Sequence, residues 1–568
     1  MTTPDTPPIP HDPATPTPPF PAPRAADDRF RVYVSVGHQQ MMTEAMRPFG
    51  RSLWQMVALR PMDAAGGRLF VDITDALASP TSRAGMIAGL GTADPLIGDA
   101  LTSIVDAGLV GTIEDGAAPP PPPVVPGAGL LDPDPELVAR LVAENEDSVG
   151  ALATDLAARR GADVFDAIVA DLAELRRLIA DPRSMHVITT GMEATRWLNE
   201  RLAEWLGAEG VADVLTRSAP GNVTSEMGLA LLDVADVVRP HTDVVARMRD
   251  ADDGVLERLN DVPGGSEVRR AIAVFLERYG MRCVGEIDIT RTRWAERPST
   301  LVPVILGHVE HEAPGAAQRR FETGRRAALD EARSVLDRLR TQPGGEARAA
   351  ETAAMIERVR TFVGYREYPK YGIVRRLWCY KQAVLRELDR LVATGVLREV
   401  EDAWYLTFAE LHEVLRTGEV DHALVHLRRE EHLLHERLVP PRVLTSDGRG
   451  WSGDHRRDDV PANALAGVAV STGLIEGRAR VVLDLDDIEL APGDILVTTG
   501  TDPSWTPLFV AAAGLVTEVG GPMTHGAVVA REYGLPAVVG VQHATRLISD
   551  GSRIRVDGTT GLVHLLDT

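Results

Sequence analysis

The sequence changes its period once, and that change limits the folds open to it. Between about residues 135 and 445 apolar positions recur at helical spacing. Leu385, Leu388 and Val392 stand at i, i+3 and i+7, and Gly395 follows as a stop. After Leu465 the texture becomes short apolar runs punctuated by glycine. Val468 and Val470 alternate, and residues 480–483, 494–498, 515–517, 537–539 and 554–556 read as strands around one helix over 526–533. The expected fold is therefore multidomain: a mainly α-helical region, then a compact α/β domain.

Smaller signals set the boundaries. Residues 1–29 open with a proline-rich stretch and are expected to be a disordered tail. Pro119–Pro123 cannot continue a helix and reads as a loop. The mainly helical domain is placed at 30–445, a polar, Gly-rich linker at 446–465, and the α/β domain at 466–568. Trp404–Leu406 reads as a short strand, followed by a capping box at Thr407 and Glu410. The stretch 427–437, with His432 and His435, reads as a solvated helix.

Composition excludes several functions. The chain has 568 residues and a formal net charge of −22, which disfavours nucleic acid and anionic membranes as partners. No apolar run has the length of a membrane helix, and no signal peptide is evident. Two cysteines, Cys283 and Cys379, cannot build a disulfide framework or a four-thiolate metal site. A reduced, cytoplasmic setting is the default expectation. Among 60 basic residues only Lys370 and Lys381 are lysines, and neither lies in a phosphate-binding P-loop motif.

The densest chemical signal is Thr517–Gly540. A strand ends at Gly520 and Gly521, and after Thr524 comes His525 at the start of a helix that Gly534 stops. Glycines allow a sharp turn and a close approach to the imidazole. A helix N-terminus favours a phosphoryl group, and an imidazole of fixed tautomer is a competent nucleophile. A phosphohistidine intermediate is the chemistry this pattern suggests.

The segment resembles the swivelling phosphohistidine domain of phosphoenolpyruvate-utilising enzymes, whose phosphorylated histidine maps to His525. Gly500–Pro507, Val34–Thr43, Gly66–Asp72 and Gly285–Asp288 resemble the rifampicin phosphotransferase branch of that family, and the likeness runs over about residues 30–568. It implies a helical substrate-binding domain, a phosphohistidine loop containing Gly520, Gly521 and Thr524, and a phosphotransferase acting on a hydroxyl of a small, rifamycin-like acceptor. It also implies an ATP-grasp domain of the kind that loads the histidine. The chain opens on the proline-rich tail instead, so a separate ATP-grasp partner binding ATP and Mg2+ is expected. This chain is expected to hold no cofactor or metal of its own.

Tyr365–Tyr371 is the second dense segment. A chain so biased towards arginine keeps a lysine here, and a lysine ammonium is a compact charge suited to clamping a phosphoryl group. With the resemblance, Arg366 and Lys370 become the expected catalytic cations beside His525. Pro369 either continues a helix or opens a new one, and Lys381 could share its face. Gln39 and Gln40, with Met42, are expected to bind substrate, although a polar turn and core packing are open readings for them. Glu286 and Asp288 are candidate carboxylates or salt-bridge partners. Two rival functions stand beside phosphotransfer to a rifamycin: a non-catalytic ligand-sequestering homologue, and transfer to pyruvate or a phenol.

Overall fold

Helical spacing in the middle of the chain becomes long packed helices. Leu385, Leu388 and Val392 lie on the helix Tyr368–Ala393, and Gly395 follows it with φ 76°. Pro369 sits in its first turn, where a missing N–H removes no helical bond. Pro135–Ala158 and Ala162–Ile179 pack on that helix, while Pro182–Leu206, Val223–Val238, Gly265–Tyr279, Ala316–Arg340 and Gly345–Phe362 pack on one another. The computed structural model describes residues 20–23, 29–113, 129–250, 252–453, 460–483, 490–522 and 524–566. Most of the expected proline-rich tail and all of Pro119–Pro123 lie outside them. Within the tail, Phe20 is buried, its ring centroid 5.9 Å from that of Phe70.

One core is built on aromatic rings. Phe49 meets Phe165, Trp404 and Phe408 at centroid separations of 6.2, 5.4 and 5.9 Å. Trp404 and Tyr405 belong to a 3-10 turn, Val400–Tyr405, so the strand expected at 404–406 is corrected. An apolar triplet without alternation does not separate a strand from a buried turn, and here both rings are buried. The capping box forms: Glu410 N donates to Thr407 Oγ1 at 3.3 Å, and Thr407 N to Glu410 Oε2 at 2.8 Å. His432 is buried within the helix His422–Glu436, edge-on to Tyr405, so that helix is not solvated all round.

The first and last parts of the helical region close on each other through a sheet. Its strands are β1 (Val32–Ser35), β2 (Asp63–Ala65), β3 (Arg68–Asp72), β4 (Val443–Thr445) and β5 (Gly450–Trp451), in the order β2-β3-β1-β4-β5. Val34 pairs with Val71 on one side and Val443 on the other. The linker expected over 446–465 is thereby corrected. The polar residues 446–449 form a hairpin turn, with Gly448 at φ 81°, and β5 is paired. A turn and a linker share the same residue chemistry.

The α/β domain holds eight strands: β6 (Ala464–Ala466), β7 (Val468–Ser471), β8 (Leu474–Val481), β9 (Asp494–Thr498), β10 (Gly514–Thr517), β11 (Ala537–Val539), β12 (Arg553–Asp557) and β13 (Leu562–Leu565). Their order is β6-β13-β12-β8-β9-β10-β11-β7, with β8, β9, β10 and β11 parallel. Every residue of β9, β10 and β11 is buried, which explains their unbroken apolar runs. The helix His525–Tyr533 connects β10 to β11, so it starts at the carboxyl edge of the parallel strands, where α/β sheets leave a crevice.

Replacing Phe49 by Ala empties the centre of the aromatic core and should destabilise the helical region by roughly 3–5 kcal/mol. Urea titration followed by circular dichroism checks this, with a mutant midpoint lower than that of the unaltered chain.

Candidate functional site

His525 is delivered by a tight turn. Gly520 has φ 144°, and Gly521 passes so close to the Ala93 carbonyl that a Cβ there would lie 1.8 Å from its oxygen. Thr524 precedes the helix with extended backbone, and its hydroxyl donates to Gly521 O at 2.8 Å. The imidazole is only 7% exposed. Its Nε2 lies 3.1 Å from Thr506 Oγ1, and its ring stacks on Phe509 with centroids 6.5 Å apart.

The other ring nitrogen meets the helical region. Nδ1 stands 2.8 Å from Glu367 Oε2, which also accepts from Thr224 Oγ1 at 3.3 Å. Glu367 closes the 3-10 turn Val363–Glu367, just before the helix carrying Lys370. Arg366 Nη1 holds its other oxygen at 3.0 Å. Burial alone would raise the Glu367 carboxyl, but His525, Arg366 and Lys370 together hold it well below the usual carboxylate range. An ionised Glu367 only accepts hydrogen bonds, so it fixes a proton on Nδ1, and Nε2 is the nitrogen that faces Thr506.

A second carboxylate stands behind Lys370. Glu286 Oε1 is 3.6 Å from Lys370 Nζ, and Arg282 Nη1 reaches both Glu286 oxygens at 2.8 and 2.7 Å. Burial opposes ionisation of Glu286, but Arg282 and Lys370 outweigh it and depress the carboxyl. Arg282 is fully buried and lies over the Tyr371 ring at 5.3 Å. Asp502 accepts from Gly285 N at 2.6 Å; burial and the neighbouring Glu286 raise its carboxyl. Arg282, Arg366 and Lys370 thus face Glu286, Glu367 and Asp502 beside one imidazole.

The structure brings His525, Arg366 and Lys370 together, with Gly520, Gly521 and Thr524 shaping the turn that delivers the histidine. Other expected residues fall elsewhere. Lys381 is buried, bonded to Arg291 O and Glu296 Oε2, both at 2.6 Å. Asp288 Oδ1 caps a local turn by accepting from Thr290 N and Oγ1 at 2.9 and 2.8 Å. Met42 packs in an apolar cluster with Val36, Met46, Leu69 and Ile287, which is its core reading. Gln39 is exposed, its Nε2 3.4 Å from Ser35 O, and Gln40 is half-buried. No hydrogen bond or ion pair among the described residues joins either glutamine to His525. Met41 instead lines a small cavity with Gly500, Asp502 and Trp505.

Sequence reasoning missed Glu367, Thr506, Asp502 and Arg282. Glu367 carried a signal, a carboxylate flanked by Arg366 and Lys370, and Thr506 and Asp502 lay inside the quoted 500–507 segment. Arg282 had none: one arginine among many cannot be told apart by composition. Among the described residues no group of three or more His, Cys, Asp and Glu side chains is set to hold a metal ion. No described helix is long and apolar enough to cross a membrane.

Two family comparisons coincide with the two halves of this site. The family described as the rifampicin phosphotransferase fourth domain matches residues 183–367, which end at Glu367. The mobile domain of PEP-utilising enzymes matches residues 490–561, which contain His525. A helical region meeting a histidine-bearing mobile domain defines the class that the chain resembles, that of the phosphoenolpyruvate-utilising enzymes. Over almost its whole length the chain is similar to rifampicin phosphotransferases. It is 56% identical over 549 residues to a rifampicin phosphotransferase of Streptomyces sviceus, covering 96% of this chain and 63% of the relative. Rifampicin phosphotransferases of Bacillus cereus and Bacillus subtilis are each 50% identical over 96% of this chain and 64% of their own length. The chain thus spans less than two thirds of these relatives.

Breaking one side of the buried pair leaves a charge with no counterion. Glu286→Ala should destabilise the helical region by roughly 3–5 kcal/mol, while the double change Arg282→Met with Glu286→Leu recovers most of that loss. Urea titration of both variants checks the difference.

Proposed function

We propose that this chain is the acceptor-side part of a phosphotransferase, in which His525 carries a phosphoryl group to a hydroxyl of a rifamycin-like small molecule. The observation that carries the reading is the contact of His525 with Glu367, flanked by Arg366 and Lys370. The names of the relatives support the choice of acceptor. Residues 466–568 act as the swivelling domain, and the helical region holds the acceptor, with Gln39, Gln40 and Met42 as candidate substrate contacts. An ATP-grasp unit, which we assign to a partner chain, binds ATP and Mg2+ and loads the histidine. Supporting that assignment, Lys370 and Lys381 are engaged with Glu286 and Glu296, so neither is placed for ATP phosphates.

The transfer follows from the geometry. Glu367 keeps the proton on Nδ1, so the phosphoryl group is borne by Nε2. The acceptor oxygen bonds to phosphorus as the phosphorus–Nε2 bond breaks, and that electron pair returns to Nε2. In net balance the hydroxyl proton takes the place of the phosphoryl group on the imidazole. Charge spreads over the phosphoryl oxygens during transfer, and Arg366 and Lys370 are the nearby cations that stabilise it. The buried site keeps water from competing as acceptor.

The test combines the chain, a candidate ATP-grasp protein, labelled ATP and rifampicin. An acid-labile label on His525, absent in His525→Ala, supports the reading, and failure of any partner to label His525 overturns it. Lys370→Met should leave His525 labelling intact and slow single-turnover transfer to rifampicin roughly 100- to 1000-fold.

A further inference from the structure

The histidine helix carries a second buried carboxylate that the transfer step does not use. Glu532 lies two turns beyond His525, 5% exposed, against the first turn of the helix Val223–Val238. Asn222 caps that helix by accepting from Thr224 N and Ser225 N at 3.0 and 3.1 Å, and its Nδ2 donates to Glu532 Oε1. The Ser225 hydroxyl bonds the other Glu532 oxygen. Next to it, Tyr533 OH donates to Ser225 O at 3.0 Å.

Glycines in the helical region let the two surfaces meet. A Cβ on Gly228 would lie 2.6 Å from Tyr533 OH and 3.2 Å from a Thr506 methyl. A Cβ on Gly364 would lie 2.2 Å from Pro220 O, so the turn that delivers Glu367 passes directly against the Asn222 segment. Thr224, between Asn222 and Ser225, bonds Glu367 itself. One short segment, 222–225, therefore touches both the partner of His525 and the far end of the His525 helix.

We propose that Glu532, held by Asn222 and Ser225, is a proton-linked latch that positions the C-terminal domain with His525 on Glu367. Its consequence for catalysis rests on the phosphotransfer reading; the latch rests on the interface alone. Asn222, Ser225 and Glu532 are positioning residues, since none touches the reacting nitrogen. The charged groups around Glu532 are Glu367 and Arg360 from the helical region, and Arg531 and Tyr533 from its own helix. Burial, with the Glu367 charge adding to it, pushes the Glu532 carboxyl up to about 7, against the opposing pull of Ser225, Asn222 and Arg531. An undocked, solvated glutamate titrates near ~4.3.

The sign follows from that difference. A carboxyl raised on docking binds a proton as the domains close, so docking is tightest at low pH. It weakens as pH rises between the solvated value and about 7, by roughly tenfold per pH unit, and levels off once Glu532 is ionised in both states. Glu532→Gln keeps the shape and both hydrogen-bond roles of the protonated acid and removes the titration. Every other titrating group is shared with the unaltered chain, so the difference between the two profiles belongs to Glu532.

Hydrogen exchange of the full chain, read by mass spectrometry from about pH 5 to about pH 8.5 and corrected for intrinsic rates, tests the latch. Peptides covering 223–228 and 525–533 are the readout. Expected are a rise in exchange up to about pH 7 in the unaltered chain, a flat and more protected profile in Glu532→Gln, and exposure at every pH in Glu532→Ala. Ser225→Ala should fall between the first and third. A Glu532→Gln profile that tracks the unaltered chain overturns the proposal. So does a Glu532→Ala variant that stays protected, or one that loosens Pro182–Leu206 equally, since that would mark a merely structural role. If the profile holds while His525 is never labelled, the latch stands and the phosphotransfer reading falls.

Discussion

Glu367 and His525 are 158 residues apart in sequence and share a 2.8 Å contact in which neither side chain is more than 7% exposed. A buried carboxylate is tolerable only with compensating charge and hydrogen bonds. Here the compensation comes from both parts of the chain: the imidazole from the α/β domain, Arg366, Lys370 and Thr224 from the helical region. Separating the parts removes the imidazole from Glu367 and leaves its charge to Arg366, Lys370 and Thr224 alone. The arrangement of the whole interface, from Gly521 against Ala93 to Gly228 against Tyr533, serves to bring that one contact to hydrogen-bond distance.

The three cations are held to different degrees, and that difference sets their chemistry. Arg282 is fully buried and clasps both oxygens of Glu286, so it is a fixed structural charge. Arg366 is tied to Glu367 at 3.0 Å. Lys370 stands off Glu286 at 3.6 Å with 28% of its side chain exposed, on a stem that can turn. By pairing with Glu286, Arg282 takes up the carboxylate that would otherwise hold the lysine tightly. A lysine so placed can turn towards an approaching anion, which a planar guanidinium locked on two oxygens cannot do.

What the sequence revealed and what it hid follow the range of the interactions. The strands of the α/β domain and the His525 helix were readable because glycines delimit them and parallel strands buried on both faces are continuous apolar runs. That His525 opens a helix was readable from its glycine-bounded segment, whereas Arg366 and Lys370 were placed beside it by resemblance. The β4–β5 hairpin was not, because its partner β1 lies some 400 residues away and its polar turn has the composition of a linker. Glu532 was invisible for the same reason: its partners Asn222 and Ser225 lie 310 and 307 residues before it. The glutamines were placed by resemblance, and Met42 packs against Val36 and Leu69, the core reading that stood open beside the pocket one.

The two interfacial carboxylates make opposite demands on protons. Glu367 is held ionised by the imidazole and cations facing it, so its contribution to docking is present above the usual carboxylate range and is lost as pH falls through that range. Glu532, bonded to an amide and a hydroxyl, is best docked when neutral. They also repel, since the Glu367 charge raises the Glu532 carboxyl. A dock built only from the first would hold equally firmly at every pH above the usual carboxylate range. One built only from the second would weaken up to about pH 7 and level off at its weakest above it. Segment 222–225 joins the two, so the contact that is level near neutrality and the one that weakens towards it are tied to the same few residues.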